Sequence, residues 1–217
     1  MERVRNDAAG FLVIDLVSAI NANRAYLSEI DGAIGDGDHG INMAKGFTAA
    51  GARLAGAKQS LSSSLNVLGE TLLEGVGGSM GPLYGSFFAA MGEALGTREY
   101  LDAEGFAAML EAGLKAIQDL GNAKVGDKTL LDALAPARDA FASALMAGRP
   151  FAECLVAMAS AAEKGRDSTR ELVAKVGRAS RLGERSRGVL DAGATSCAII
   201  LSTAATSLEK ALQAAVP

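Results

Sequence analysis

Tryptophan is absent, and three tyrosines and seven phenylalanines are all the aromatic residues the chain of 217 residues carries. Sandwiches and barrels of strands draw on aromatic and β-branched residues. Their scarcity, beside abundant alanine and leucine, argues against an all-β fold and for helices. A single histidine excludes a histidine-rich metal site. There are two cysteines, Cys154 and Cys197, each in an apolar, alanine-containing stretch. They fit buried thiols in a reducing cytoplasm better than a disulfide framework. No apolar run is long enough to span a membrane, which takes about 18 residues or more. The apolar stretch from Ala8 to Ile14 is cut by Asp15 and lacks a small-residue cleavage site, so no signal peptide is expected. The net charge is −4, the pI is near 5.1 and basic clusters are short, so neither nucleic acid nor membrane is an expected partner.

Helical periodicity is what the chain has instead, and 49% hydrophobic residues suffice for a sizeable core. Spacings of Phe11, Ile14, Val17, Ile20 and Leu27 predict a first helix over 7–30, with Asp7 as its N-cap. A second is predicted over 40–55. A third is capped by Ser60 and carries Leu61, Leu65, Leu68 and Leu72, and a fourth runs from Pro82 to Gly96. Asp102 caps a fifth helix, which Gly121 stops. A sixth follows from Leu130, kinked at Pro136. The seventh covers 150–170 and the eighth 194–215. No internal repeat or Pro/Ser-rich linker interrupts them. The expectation is an all-α single domain over 1–217, an antiparallel eight-helix bundle.

Four junctions are unusual. In Asp31-Gly-Ala-Ile-Gly-Asp36-Gly-Asp38-His39-Gly40, three carboxylates lie within eight residues and four glycines lie among them. Glycines this dense disfavour regular structure, and carboxylates this close want protons or a cation. Oxygen ligands favour Mg²⁺ or Ca²⁺. An EF-hand counted from Asp36 fails, because Gly40 and Phe47 occupy its fifth and twelfth positions. A solvated acidic turn is the plainer alternative. The second junction, Gly75 to Pro82, lets backbone N–H groups of Gly77, Gly78 and Gly81 approach a ligand at a helix N-terminus, which favours anions. The third, Gly121 to Thr129, resembles a P-loop, but Asp127 interrupts the motif and no strand precedes it. Asp127 is a candidate cap and Thr129 a candidate phosphate donor. The fourth, residues 175–193, is a basic, glycine-spaced loop with Arg178, Arg181, Arg185 and Arg187. In an up-and-down bundle, the junctions after helices 1, 3, 5 and 7 share one end. Mg²⁺ between aspartates and a polyphosphate is the ensemble these loops suggest.

Gly35-Asp36-Gly37-Asp38-His39-Gly40 with Asn42, Gly77-Gly78-Ser79-Met80-Gly81-Pro82, Gly126-Asp127-Lys128-Thr129 and Gly177-Arg178-Ala179-Ser180 together resemble the nucleotide-binding L subunit of dihydroxyacetone kinase. The resemblance runs from the first helix to the last. It implies an eight-helix barrel holding ADP or ATP at one end through two Mg²⁺. It further implies Asp31, Asp36 and Asp38 as metal ligands, and His39, Gly40, Ile41, Asn42, Gly78, Ser79 and Met80 at the nucleotide. Gly121 and Leu130 fall near the base and Thr129 near phosphate, where Arg178 also belongs, with Asp191, Ala192 and Gly193 completing the pocket. The chain departs from the family in having Ser79-Met80 for Ala-Ser and Asp191-Ala192-Gly193 for Asp-Pro-Gly. The implied reaction moves phosphate to dihydroxyacetone or a related short ketose held by a separate K-type subunit. ADP would be a bound cofactor recharged by a phosphotransferase-system protein, and a homodimer in the cytoplasm is expected. Alternatives are an ATP-dependent subunit of a triose or tetrose kinase, a Mg²⁺-dependent phosphatase, or a non-catalytic nucleotide-binding regulator.

Overall fold

Apolar stripes of helical period close on one another as a ring. The structure, a computed structural model, describes residues 2–56 and 59–214. Among these residues lie nine α-helices: α1 (Phe11–Ala22), α2 (Arg24–Ile34), α3 (His39–Leu54), α4 (Leu61–Gly75), α5 (Met80–Leu95), α6 (Ala103–Leu120), α7 (Leu131–Met146), α8 (Phe151–Ser168) and α9 (Ala192–Ala214). From α3 onward each helix packs on the next, and α9 returns to α1, which packs on α3. Eight helices therefore make the barrel, as expected of an all-α chain. The ninth, α2, lies outside the ring against α3 and α9. A two-residue antiparallel pairing, Val4 with Leu101 and Arg5 with Tyr100, ties the N-terminal segment to the α5–α6 connection.

Several boundaries differ from expectation for local reasons. The first predicted helix breaks at Asn23, whose side chain donates to the Ala19 carbonyl at 2.9 Å and competes with the backbone ladder. Asp7 does not cap α1; it pairs with Arg5, and Gly10 stands at the N-cap. The acidic loop shortens to residues 35–38, because Asp31 to Ile34 complete α2. Helix α5 begins at Met80, so Pro82 sits in the first turn, where its missing N–H is harmless. The Ser60 and Asp102 caps form as read, accepting from Ser63 N at 3.2 Å and Gly105 N at 2.8 Å. Helix α7 runs through Pro136. The proline leaves the Asp132 carbonyl without its usual donor, and Gly165 of α8 packs against that oxygen so closely that a Cβ would lie 2.1 Å away. The basic loop contains a 3₁₀ segment, Arg178–Ser186, bent at Gly183 (φ 54°). Helix α9 starts two residues early; its expected end at Ala215 lies outside the described residues.

The core fills the ring. Tyr84, Phe87, Phe88 and Phe47 pack together, and Phe106, Phe141 and Phe151 form a second aromatic group. Cys154 and Cys197 are buried free thiols. Burial pushes the Cys197 thiol up to about 12, so it is inert at neutral pH.

Candidate functional site

Because neighbouring helices in the ring run antiparallel, the N-termini of α3, α5, α7 and α9 come to one end. The four unusual junctions meet there around a cavity of about 440 Å³. Its lining comes from the end of α2 and start of α3, the α4–α5 turn, the 121–131 segment, and 176–179 with 191–193. Four helix N-termini facing one cavity give it a positive backbone potential suited to an anion. At α3 and α5 the N-cap side chains of Asp38 and Ser79 make no capping bond; at α3 the His39 N–H donates instead to Asp31 Oδ2 at 3.4 Å, while the α5 first turn keeps its N–H groups open. One wall is apolar, built from Met80, Leu83, Ile117, Leu120 and Leu130.

At the same cavity, Asp31, Asp36 and Asp38 bring carboxylate oxygens within 4.8 Å of one another. Asp31 projects from the last turn of α2, and the turn that carries the other two needs Gly37 at φ 76°. Arg178 reaches across from the basic loop to pair with Asp36 and with Asp38, the latter at 3.3 Å. A guanidinium between two carboxylates offsets repulsion that a cation would otherwise have to offset. The oxygen donor set and its spacing fit a hard divalent ion such as Mg²⁺.

Behind the acids lies a buried polar chain. His39 Nε2 is 2.9 Å from Ser196 Oγ, which is 2.6 Å from the Tyr84 hydroxyl. Tyr84 in turn donates to the Gly193 carbonyl at 3.1 Å. Burial lowers the His39 pKa to about 4, against the pull of Asp31, so the ring is neutral at pH 7. Burial raises Tyr84 well above its ordinary value. Asp191 caps α9 through Ala194 N at 2.7 Å. Loss of water pushes its pKa up to about 7, with Asp132 and Asp31 adding to the rise and Lys128 opposing it.

Sequence reasoning missed the residues that hold the loops. Lys128, 2% exposed, sets its three N–H donors among four carbonyls, those of Thr169, Leu172, Ser186 and Val189, at 2.6–3.2 Å. It adopts a positive φ of 64° to do so. Asp127 does not cap α7: Thr129 Oγ1 accepts from Leu131 N at 3.3 Å, and Asp132, inside the helix, accepts back from Thr129 N at 2.7 Å and Gly126 N at 2.5 Å, holding the preceding loop. Asp127 instead accepts from Lys124 N and pairs with Lys175. Buried Ser186 accepts from Ala174 N, and buried Thr169 from Asp191 N. The one signal in the sequence was the lysine of Gly126-Asp127-Lys128-Thr129, set aside with the P-loop reading.

Of the residues singled out by sequence, Asp31, Asp38, His39, Ser79, Met80, Gly121, Thr129, Leu130, Arg178, Asp191, Ala192 and Gly193 line the cavity. Asp36 joins through the carboxylate cluster. Gly40, Ile41, Asn42 and Gly78 are not on the lining. Gly40 is buried beneath α2, where a Cβ would lie 2.0 Å from the Arg24 carbonyl oxygen. Ile41 points outward, 48% exposed.

A closed helical ring with an acid cluster at a partly apolar cavity, and helix N-termini around it, defines a helical barrel whose candidate site lies at one end. The DAK2 domain family matches residues 33–206, and the chain belongs to it, as a kinase subunit of the dihydroxyacetone kinase type. It is 36% identical over 206 residues to the ADP-binding subunit DhaL of PEP-dependent dihydroxyacetone kinase 2 from Listeria innocua, covering 94% of this chain and 95% of that one. It is 40% identical over 189 residues to the ADP-binding subunit DhaL of the PTS-dependent dihydroxyacetone kinase of Lactococcus lactis, covering 85% and 88%. The crystal structure of the dihydroxyacetone kinase of C. freundii in complex with AMP-PNP and Mg²⁺ superposes with a TM-score of 0.69 at 25% identity, over 92% of this chain and 33% of that one. Among the described residues, no helix is long and apolar enough to cross a membrane.

Proposed function

We propose that the chain holds an adenine nucleotide with Mg²⁺ at the acid lip and passes a phosphoryl group to dihydroxyacetone, or a related short ketose, carried by a separate K-type subunit. On this reading residues 1–217 act as one nucleotide-binding kinase domain. The supporting observation is the convergence of Asp31, Asp36 and Asp38 at a cavity that also has an apolar lining. Bound there, Mg²⁺ offsets phosphate charge and fixes phosphate position. The chain's own residues do the rest. Leu83, Ile117, Leu120 and Leu130 give a flat base an apolar surface, while the open N–H groups of the α5 first turn and Arg178 are disposed to take phosphate oxygens. Water is kept from the reacting phosphate by the ketose-bearing partner closing the cavity mouth.

The names of the relatives, ADP-binding subunits of PEP- and PTS-dependent enzymes, support ADP as a retained cofactor recharged by a phosphotransferase-system protein. A second reading, an ATP-dependent kinase of a tetrose, has its support in the L-erythrulose kinase of Pectobacterium atrosepticum. That relative is 35% identical over 194 residues, which is 32% of its length. Native mass spectrometry in Mg²⁺, followed by a transfer assay, separates them. The expected result is one ADP retained per chain, and phosphate reaching the ketose only when K-type subunit and phosphotransferase-system donor are both present. An empty chain that transfers from ATP supports the second reading; phosphate released to water without any partner overturns both.

A further inference from the structure

The buried chain from His39 to Gly193 has a proton order that its geometry dictates. Ser196 Oγ and the Tyr84 hydroxyl each own one proton, and both lie 3.1 Å from the Gly193 carbonyl, which can only accept. If Ser196 gave its proton to His39, Tyr84 could serve either Ser196 or Gly193 but not both. If His39 Nε2 carries the proton, every group is satisfied in sequence. Nε2–H donates to Ser196 Oγ, Ser196 to Tyr84, and Tyr84 to Gly193 O. The Gly193 carbonyl already accepts from the α9 ladder, so neither order strands it; the second order is preferred because it makes three bonds of the close contacts where the first makes two.

We infer that Ser196 is a positioning residue that locks His39 as its Nε2–H tautomer, with Tyr84 accepting the Ser196 hydrogen bond, and that this lock fixes the first turn of α3, with Asp38 beside it, against α5 and the start of α9. His39 is the first residue of α3 and its backbone follows Asp38 directly. Ser196 lies on α9 and Tyr84 on α5. One buried chain thus joins three of the four segments that form the cavity. The ring nitrogen left over, Nδ1, holds a lone pair. It suits a donor such as a sugar hydroxyl or a metal-bound water, not a phosphate oxygen.

The chain's single histidine makes the test direct. The full-length protein labelled with ¹⁵N-histidine gives one imidazole, and its two nitrogen shifts report the tautomer. The expected result is a protonated Nε2, a bare Nδ1 and a slowly exchanging Nε2–H proton. Ser196→Ala removes the acceptor, so that proton should exchange quickly and the ring relax toward a tautomer mixture. Tyr84→Phe should keep the signature, because Ser196 can then donate to Gly193 itself. A ring that only fills space moves in neither variant. A wild-type Nδ1–H tautomer or an imidazolium at pH 7 overturns the inference, and needs no variant to fold.

Positioning rests on the nucleotide reading and is measured separately. Calorimetry with Mg²⁺ and ADP should show Ser196→Ala about tenfold weaker than wild type, the size of one lost hydrogen bond. Equal affinity in that variant, with the tautomer changed, overturns the positioning role. Absence of binding in the wild type counts against the nucleotide reading and leaves the tautomer result standing.

Discussion

Asp31, Asp36 and Asp38 were legible because only two to seven residues of chain separate them, and local spacing is what a sequence displays. Ser196 was not, since it meets His39 across 157 residues. Gly40 shows a second limit at this scale. Among motif glycines it reads as a ligand-contacting position, yet its place is a helix crossing, with the Arg24 carbonyl 2.0 Å from where a Cβ would stand. A glycine in an exposed helix interior is improved by alanine, by about 1 kcal/mol. Gly40→Ala should do the reverse, destabilising by about 3 kcal/mol as α2 is forced off α3. Urea unfolding decides it. A stabilised variant would mean that α2 does not bear on α3 as the structure has it.

At the scale of elements, the eight helices of the ring were legible from apolar spacing, α2 only as the tail of the first, and two caps, Ser60 and Asp102, were read correctly. The errors fell where a side chain competes with the backbone, at Asn23, or where Thr129 and Asp132 together hold the start of α7 in place of the expected Asp127. Order within the basic loop was illegible, because its organiser, Lys128, is 41–61 residues from the carbonyls it serves. Lys128→Met would leave four carbonyls without their donor and should cost about 3 kcal/mol. The same variant should release the loop to trypsin, which cuts after Arg178, Arg181, Arg185 and Arg187. Cleavage no faster than in wild type, at equal stability, would show the ammonium to be dispensable.

For the whole molecule, the all-α class followed from composition, whereas closure of the ring through α9 and α1 rests on contacts between opposite ends of the chain. Stability against pH is a property of this scale, and two groups act in opposite directions. His39, at about 4 folded and about 6.5 unfolded, keeps its stabilising effect above pH 6.5 and loses it as pH falls through 4, a loss of about 3 kcal/mol. Asp191, raised to about 7, favours the folded state most at low pH and loses that contribution as pH rises through 7. Between pH 6.5 and 4 the slopes oppose. Asp191→Asn removes the one that rises on acidification and keeps an oxygen for the α9 cap. In chelator, its urea midpoint should therefore fall faster than that of wild type from pH 7 to pH 4.5. Parallel falls would exclude Asp191 from the balance.

The reading of function stands on the acid lip. Calorimetric titration of ADP, with and without Mg²⁺, into wild type and Asp36→Ala tests it most directly. Asp36 is exposed and in a loop, so helix content by circular dichroism should be unchanged. The account predicts Mg²⁺-dependent binding in the wild type and none in the variant. Equal nucleotide affinity in both, with the same demand for Mg²⁺, would contradict it.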